Sequence, residues 1–161
     1  MQRVDHPFPP VVDANCHILI LGSFPSVKSR ENGFFYGHPQ NRFWRMLAAI
    51  FDEEIPEDIP AKKALLLRHH IALWDVIASC DIQGSSDASV KNATPVDISR
   101  VTDAACIDRV ICNGSLAGKL YQRYLETHIG IKAFVLPSTS PANAACSLGK
   151  LVDSWRKVLL T

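Results

Sequence analysis

No apolar run in the 161 residues approaches the roughly 18 to 20 that a membrane span requires. The N-terminal stretch MQRVDHPFPPVVDANC lacks a basic start followed by an apolar segment, so no secretory signal is expected. The five cysteines (Cys16, Cys80, Cys106, Cys112 and Cys146) are odd in number and form no CxxC pair. That argues against a disulfide framework and against a four-cysteine metal or cluster site, and for reduced thiols in a cytoplasm. HExxH, a Walker loop, GxSxG and any His/Cys group at metal spacing are all missing, so neither metal nor cofactor is expected. An excess of one charge is missing as well. Seventeen basic against sixteen acidic residues disfavour a protein that coats nucleic acid non-specifically. There is no internal repeat, and the length accommodates one domain, residues 1–161, with no second core.

The charge that is present is uneven. Lys28, Arg30, Arg42 and Arg45 stand against Glu31 alone, whereas the following FDEEIPEDIP holds five carboxylates and no basic residue. One face can thus meet phosphate while another avoids it, although two ordinary solvated segments would read the same way. Four apolar runs, at 17–22, 70–77, 108–114 and 131–137, are rich in β-branched or aromatic residues and end at glycine, proline or polar clusters. They read as strands buried on both faces. Helical patterns lie between and after them, at 41–51, 61–69, 115–128 and 147–160. The alternation predicts a three-layer α/β/α sandwich around a central, mainly parallel four-stranded sheet. The long polar connection CDIQGSSDASVKNATPVDIS reads as surface irregularity.

Ligands of such sheets gather outside the carboxyl ends of the strands. The loops after the first and fourth runs, GSFPSVKSRENGFFYGHPQN and PSTSPANAACS, are dense in small polar residues, proline and aromatics. Ser23, Ser26, Ser138 and Ser140 suit either turn capping or an anion. Of Phe34, Phe35 and Tyr36, consecutive side chains cannot all face inward, so at least one is free to stack on a planar ligand. Asn41 either caps the following helix or presents a donor and an acceptor to a heterocycle or a water. Asp75 interrupts an apolar strand, and must be paired or face the cleft. His38 is open to acid, phosphate-contact and loop-packing roles, and capping or surface exposure suffices for His69 and His70.

The stretch GSFPSVKSRENGFFYGHPQNRFW (22–44) resembles the first motif of the uracil-DNA glycosylase superfamily, in the branch of mismatch-specific uracil and thymine-DNA glycosylases. Gly22 and Pro25 match the glycine and proline of that branch's GINPG loop. His38, Pro39, Asn41, Arg42, Phe43 and Trp44 match its HPxNRFW-like segment. LPSTSPAN (136–143) resembles the second motif. Two departures turn the expectation away from plain uracil excision. Phe24 stands where relatives place the Asp or Asn that orients the attacking water, and Ala142, with Asn143 beside it, stands at the wedge that fills the flipped base's gap. The set GSFPS, HPQNRFW, LWDV and SPAN is similar to the hypoxanthine-DNA, or DNA-deoxyinosine, glycosylases.

The resemblance implies a monomeric, cofactor-free, monofunctional DNA glycosylase of base excision repair, working in the cytoplasm at the nucleoid on DNA with a deaminated base. Alternatives are a uracil/thymine mismatch glycosylase and a non-catalytic damaged-DNA binding module of the same fold. By motif position Asn41, Asp75 and Asn143 are the catalytic candidates. Asn41 would orient water or contact the base, Asp75 would accept from a ring N–H, and Asn143 would lie near the vacated stack. Gly22, Ser23, Phe24, Pro25, Phe35, Tyr36, His38, Ser138 and Ser140 would bind substrate. Among them Phe24 and an aromatic of 34–36 would stack on the base, and Ser138 and Ser140 would hold backbone phosphate or a leaving-group oxygen. Such an enzyme breaks the glycosidic bond largely before water attacks, so it must extrude the nucleotide, grip the base edge and stabilise developing charge.

Overall fold

Apolar runs become strands in a computed structural model of the chain, which describes residues 2–161. In chain order the elements are β1 (Gln2–Asp5), β2 (Ile18–Gly22), α1 (Val27–Asn32), α2 (Phe43–Phe51), α3 (Ile59–Arg68), β3 (Ile71–Asp75), β4 (Ile77–Ile82), β5 (Lys91–Pro95), α4 (Ser99–Thr102), β6 (Arg109–Asn113), α5 (Ser115–Tyr124), α6 (Glu126–Ile129), β7 (Phe134–Leu136) and α7 (Leu148–Leu159). Four strands make the parallel sheet expected, in the order β3-β2-β6-β7. Every residue of β2 and β3 is buried, which requires cover on both faces and gives the α/β/α layering.

Helix starts follow local chemistry. Ser26, Asp58 and Ser147 each accept a backbone N–H two or three residues into α1, α3 and α7. Helix α5 comes closer to the sheet than a side chain would allow, because a methyl group at Gly118 would meet the Val135 side chain. The predicted helix 115–128 breaks at Leu125 into α5 and α6.

Two expectations are corrected. The apolar run 70–77 is not one strand: the chain leaves the parallel sheet at Val76, whose N–H still bonds Gly22 while its carbonyl accepts from Val96. The connection at 80–99 is not mere irregularity. It supplies the end of β4 and all of β5, which with β1 form an antiparallel sheet in the order β1-β4-β5. Pairing brings the N-terminus against β4, and a bridge of Val11 to Leu73 then holds residues 6–11 along the parallel sheet's edge.

Sheet order decides where a site can form. From β2 the chain moves to one neighbour, β3, and then crosses to the other, β6. The direction of winding reverses there, leaving a crevice at the carboxyl ends. Gly22 pairs with Asp75 and Leu21 with Cys112, so Gly22, Asp75 and Asn113 share that edge. The three tryptophans tie down the surrounding loops. Trp44, Trp74 and Trp155 donate their indole N–H groups to the carbonyls of Phe35, Phe8 and Pro137, at 3.0, 3.2 and 3.0 Å.

Candidate active site at the carboxyl edge of the sheet

A cavity of about 280 Å³ opens at this edge. Eleven of the twelve residues singled out in the sequence line it: Gly22, Ser23, Phe24, Pro25, Phe35, Tyr36, His38, Asn41, Asp75, Ser138 and Ser140. Asn143 is not among its lining residues. The Asn143 amide donates to the Ser138 carbonyl at 3.0 Å, and its own carbonyl accepts from Arg42, so it folds the loop from within.

Asn41 is held by its oxygen. Oδ1 accepts the Phe43 N–H, the first of α2, at 3.0 Å and the Thr139 hydroxyl at 2.9 Å, although the N-cap itself is Arg42. Thr139, wholly buried, is itself oriented by Asn113 at the end of β6. Its N–H donates to Asn113 Oδ1 and its Oγ1 accepts from Asn113 Nδ2, both at 3.0 Å. Each amide end is therefore assigned in turn: a backbone N–H fixes Asn113 Oδ1 as acceptor, its Nδ2 occupies the Thr139 oxygen, and the threonine proton is directed at Asn41. Both lone pairs of Asn41 Oδ1 are consumed, so Asn41 can offer the cavity only its Nδ2 donor. It cannot act as a base toward water.

Asp75 resolves its two readings by doing both. It is buried, and Oδ2 lies 2.7 Å from His6 Nε2, both side chains 4% exposed. Oδ1 carries no hydrogen bond among the described residues and faces the cavity over Gly22. A methyl group at Gly22 would collide with Asp75 Oδ1 and stand 2.9 Å from the Tyr36 hydroxyl, which is why this position has no side chain. The Tyr36 hydroxyl is buried and has no hydrogen-bond partner among the described residues. Burial first, and the Asp75 charge second, push the phenol well above its ordinary range, so it stays protonated.

The aromatic loop packs inward more than its sequence suggests. Phe34 and Phe35 are buried, and the Tyr36 ring stacks on Phe43 with centroids 4.2 Å apart. Phe24 is the partly exposed ring of the wall, with the Arg30 guanidinium 5.7 Å from its centroid. The second loop presents hydroxyls. Ser138 Oγ accepts the Ser140 N–H and Ser140 Oγ accepts the Ala142 N–H, each at 3.1 Å, so each O–H is left to donate. His38 Nδ1 accepts the Gln40 N–H at 3.0 Å, which leaves Nε2 as the remaining polar atom of its ring. The cavity is consequently rich in donors, with the Asp75 carboxylate as acceptor on its floor.

Sequence reasoning missed His6, Asn113 and Thr139, all distant in the chain from the motifs they support. Threonine at 139, between two serines already singled out, was the one signal available. The basic stretch also needs correction. Arg42 does not face solvent phosphate: its guanidinium donates to the carbonyls of Ser140 (2.9 Å), Asn143 (3.1 Å) and Cys146, clasping the second loop to the first. Lys28 stays exposed, in a surface pair with Glu31 at 3.3 Å, and can still meet phosphate. Among the described residues no group of three or more His, Cys, Asp or Glu is arranged to hold a metal, and no helix is long and apolar enough to cross a membrane.

Comparison with known proteins adds four findings. Residues 9–159 match the family model of the uracil DNA glycosylase superfamily. A hypoxanthine DNA glycosylase of Methanosarcina acetivorans is 38% identical over 153 residues, covering 94% of this chain and 95% of that protein. One from Methanosarcina barkeri is 36% identical, over 92% and 93% of the two chains. A solution NMR structure from Methanosarcina acetivorans, described as a candidate uracil DNA glycosylase, superposes with a TM-score of 0.80 at 33% identity, covering 98% of this chain and 97% of that one.

Proposed function

This chain belongs to the uracil DNA glycosylase superfamily, and on that premise we propose that it is a monofunctional DNA glycosylase that excises hypoxanthine from deoxyinosine in DNA. The curated relatives at 36% and 38% identity are named for that activity. The observation that carries the reading is the polarity of the cavity, donor-rich walls around one buried carboxylate.

Hypoxanthine presents a ring N–H beside a carbonyl, and its departure leaves negative charge on the base. Asp75 Oδ1 accepts the ring N–H. Asn41 Nδ2 and the Ser138 and Ser140 hydroxyls donate to base oxygen, to phosphate or to the developing anion. Preorganised donors aimed at charge that appears only in the transition state are typically worth about 3 kcal/mol each. The bond between C1′ and the base nitrogen breaks with its electron pair left on the base. Water oxygen then bonds to C1′, and a water proton ends on the released base. Phe24 stacks on the extruded base, within a wall completed by Phe35 and Tyr36. Gly22 leaves room for Asp75 Oδ1 and the Tyr36 hydroxyl, while Ser23, Pro25 and His38 complete the cavity lining. The enzyme acts as a monomer in the cytoplasm, at the nucleoid.

Duplexes carrying deoxyinosine, deoxyuridine or a thymine mismatch, treated with the pure protein and then with alkali, test this. Strand cleavage at deoxyinosine is the expected result. Cleavage at uracil or thymine alone would transfer the activity to a mismatch glycosylase. Binding without cleavage at any of them would make the chain a damaged-DNA binding module.

A further inference from the structure

His6 lies in the segment between β1 and the parallel sheet, outside the residues 9–159 that match the family model. We infer that His6 is a positioning residue, which engages Asp75 Oδ2, leaves Oδ1 to the cavity as an acceptor, and thereby makes the cavity select a 6-oxopurine over a 6-aminopurine. The inference rests on the glycosylase reading and deepens it.

The geometry assigns the imidazole's tautomer. His6 Nδ1 accepts the Phe8 N–H at 3.1 Å, so this nitrogen carries no proton and the ring proton resides on Nε2. That Nε2–H faces Asp75 Oδ2 at 2.7 Å. The ring is caged: Phe8, Phe24 and Phe35 lie around it with centroids 5.4, 5.9 and 5.8 Å away, and the His6 N–H bonds the Ala78 carbonyl at 2.7 Å. A second proton on the ring would break the Phe8 bond inside an apolar cage. His6 is therefore a fixed donor through Nε2, and it gives the carboxylate its one hydrogen bond among the described residues.

What this does for recognition follows from the ligand's edge. A ring N–H, as hypoxanthine has at N1, matches a carboxylate oxygen. Adenine presents a lone pair at N1 and is repelled by the same oxygen. A buried carboxylate without a partner sheds its charge by binding a proton, and a protonated carboxyl is a donor that suits adenine. The N-terminal segment, brought in by β1 pairing with β4, thus acts on specificity through Asp75 without touching the base.

The test is competition by free hypoxanthine and free adenine against excision of deoxyinosine, in wild type, His6→Phe and His6→Gln. Phenylalanine keeps the aromatic packing without a donor, whereas glutamine keeps an N–H to offer Asp75. In wild type hypoxanthine is expected to compete more strongly than adenine. The preference should fall about tenfold to a hundredfold in His6→Phe, the worth of a hydrogen bond to a charged group, and return to within about threefold in His6→Gln. A merely structural His6 would lower melting temperature and active fraction while leaving the ratio unchanged. An unchanged ratio in folded His6→Phe, or a ratio lost equally in folded His6→Gln, overturns the proposal. Should His6→Phe not fold, the ratio in His6→Gln decides alone, wild-type preference supporting the donor role and a tenfold loss overturning it. Wild-type protein that leaves deoxyinosine intact overturns the glycosylase reading and this proposal with it. An active wild type with an unaltered ratio in His6→Phe removes only His6.

Discussion

Replacing Asn41 by alanine and by aspartate separates its two jobs. The oxygen is structural, since it accepts the first N–H of α2, that of Phe43, and receives the proton of buried Thr139. Nδ2 is the atom left for the cavity. Alanine removes both: the lost bond to the Phe43 N–H costs about 1 kcal/mol, and the stranded Thr139 hydroxyl about 1 to 2 kcal/mol more. At roughly 2 to 4 °C per kcal/mol for a domain of this size, the melting temperature should drop by about 4 to 12 °C. Aspartate keeps an oxygen that accepts from the Phe43 N–H and the Thr139 hydroxyl, so stability should stay within about 1 kcal/mol. Its second oxygen, however, replaces the donor. Excision of hypoxanthine should fall on the order of a hundredfold or more in both variants, the usual effect of losing one preorganised donor. Single-turnover cleavage with enzyme in excess, read beside thermal melts, measures the two effects independently. If Asn41→Asp excises at the wild-type rate, Nδ2 has no part in the chemistry and the directed chain Asn113–Thr139–Asn41 serves only to join the loops.

Four further outcomes are expected. Gly22→Ala should abolish most excision, because the new methyl group displaces the Asp75 carboxylate and crowds Tyr36, and overpacking there should cost about 1 to 3 kcal/mol by denaturant titration. DNA affinity should fall with added salt: Lys28→Ala should reduce the salt slope by about 1, whereas Arg42→Ala, which frees three loop carbonyls, should lower the melting temperature and leave the slope nearly intact. Excision should be indifferent to EDTA, given the donor set at the site; loss restored by a divalent ion would refute the metal-free assignment. Burial pushes the Cys16 thiol up to about 11 and burial, with Glu126 second, pushes that of Cys112 up to about 12. Both stay protonated at about pH 8, so a thiolate-selective reagent should label exposed Cys106 and spare these two until the protein unfolds.

The local signals in the chain were enough to determine four parallel strands and most of the site. Runs such as ILILG carry their own burial requirement, and the two loops were visible because their small polar and aromatic residues end such runs. The antiparallel sheet had no such signature. QRVD and KNATP hold almost no apolar residue, and they become strands because β4 between them offers backbone partners. The same pairing brings in His6, which no local pattern connects with Asp75, 69 residues away. The motif likewise marked Arg42 and Asn143 as important but not how: their bonds in the loop clasp run across about a hundred residues of chain. Sequence determines which groups can donate, accept or be buried. Which donor meets which acceptor, and hence that Asn41 faces the cavity as a donor and Asp75 as an acceptor, was decided by the tertiary structure, because a side chain's free atom is whichever one its neighbours leave unused.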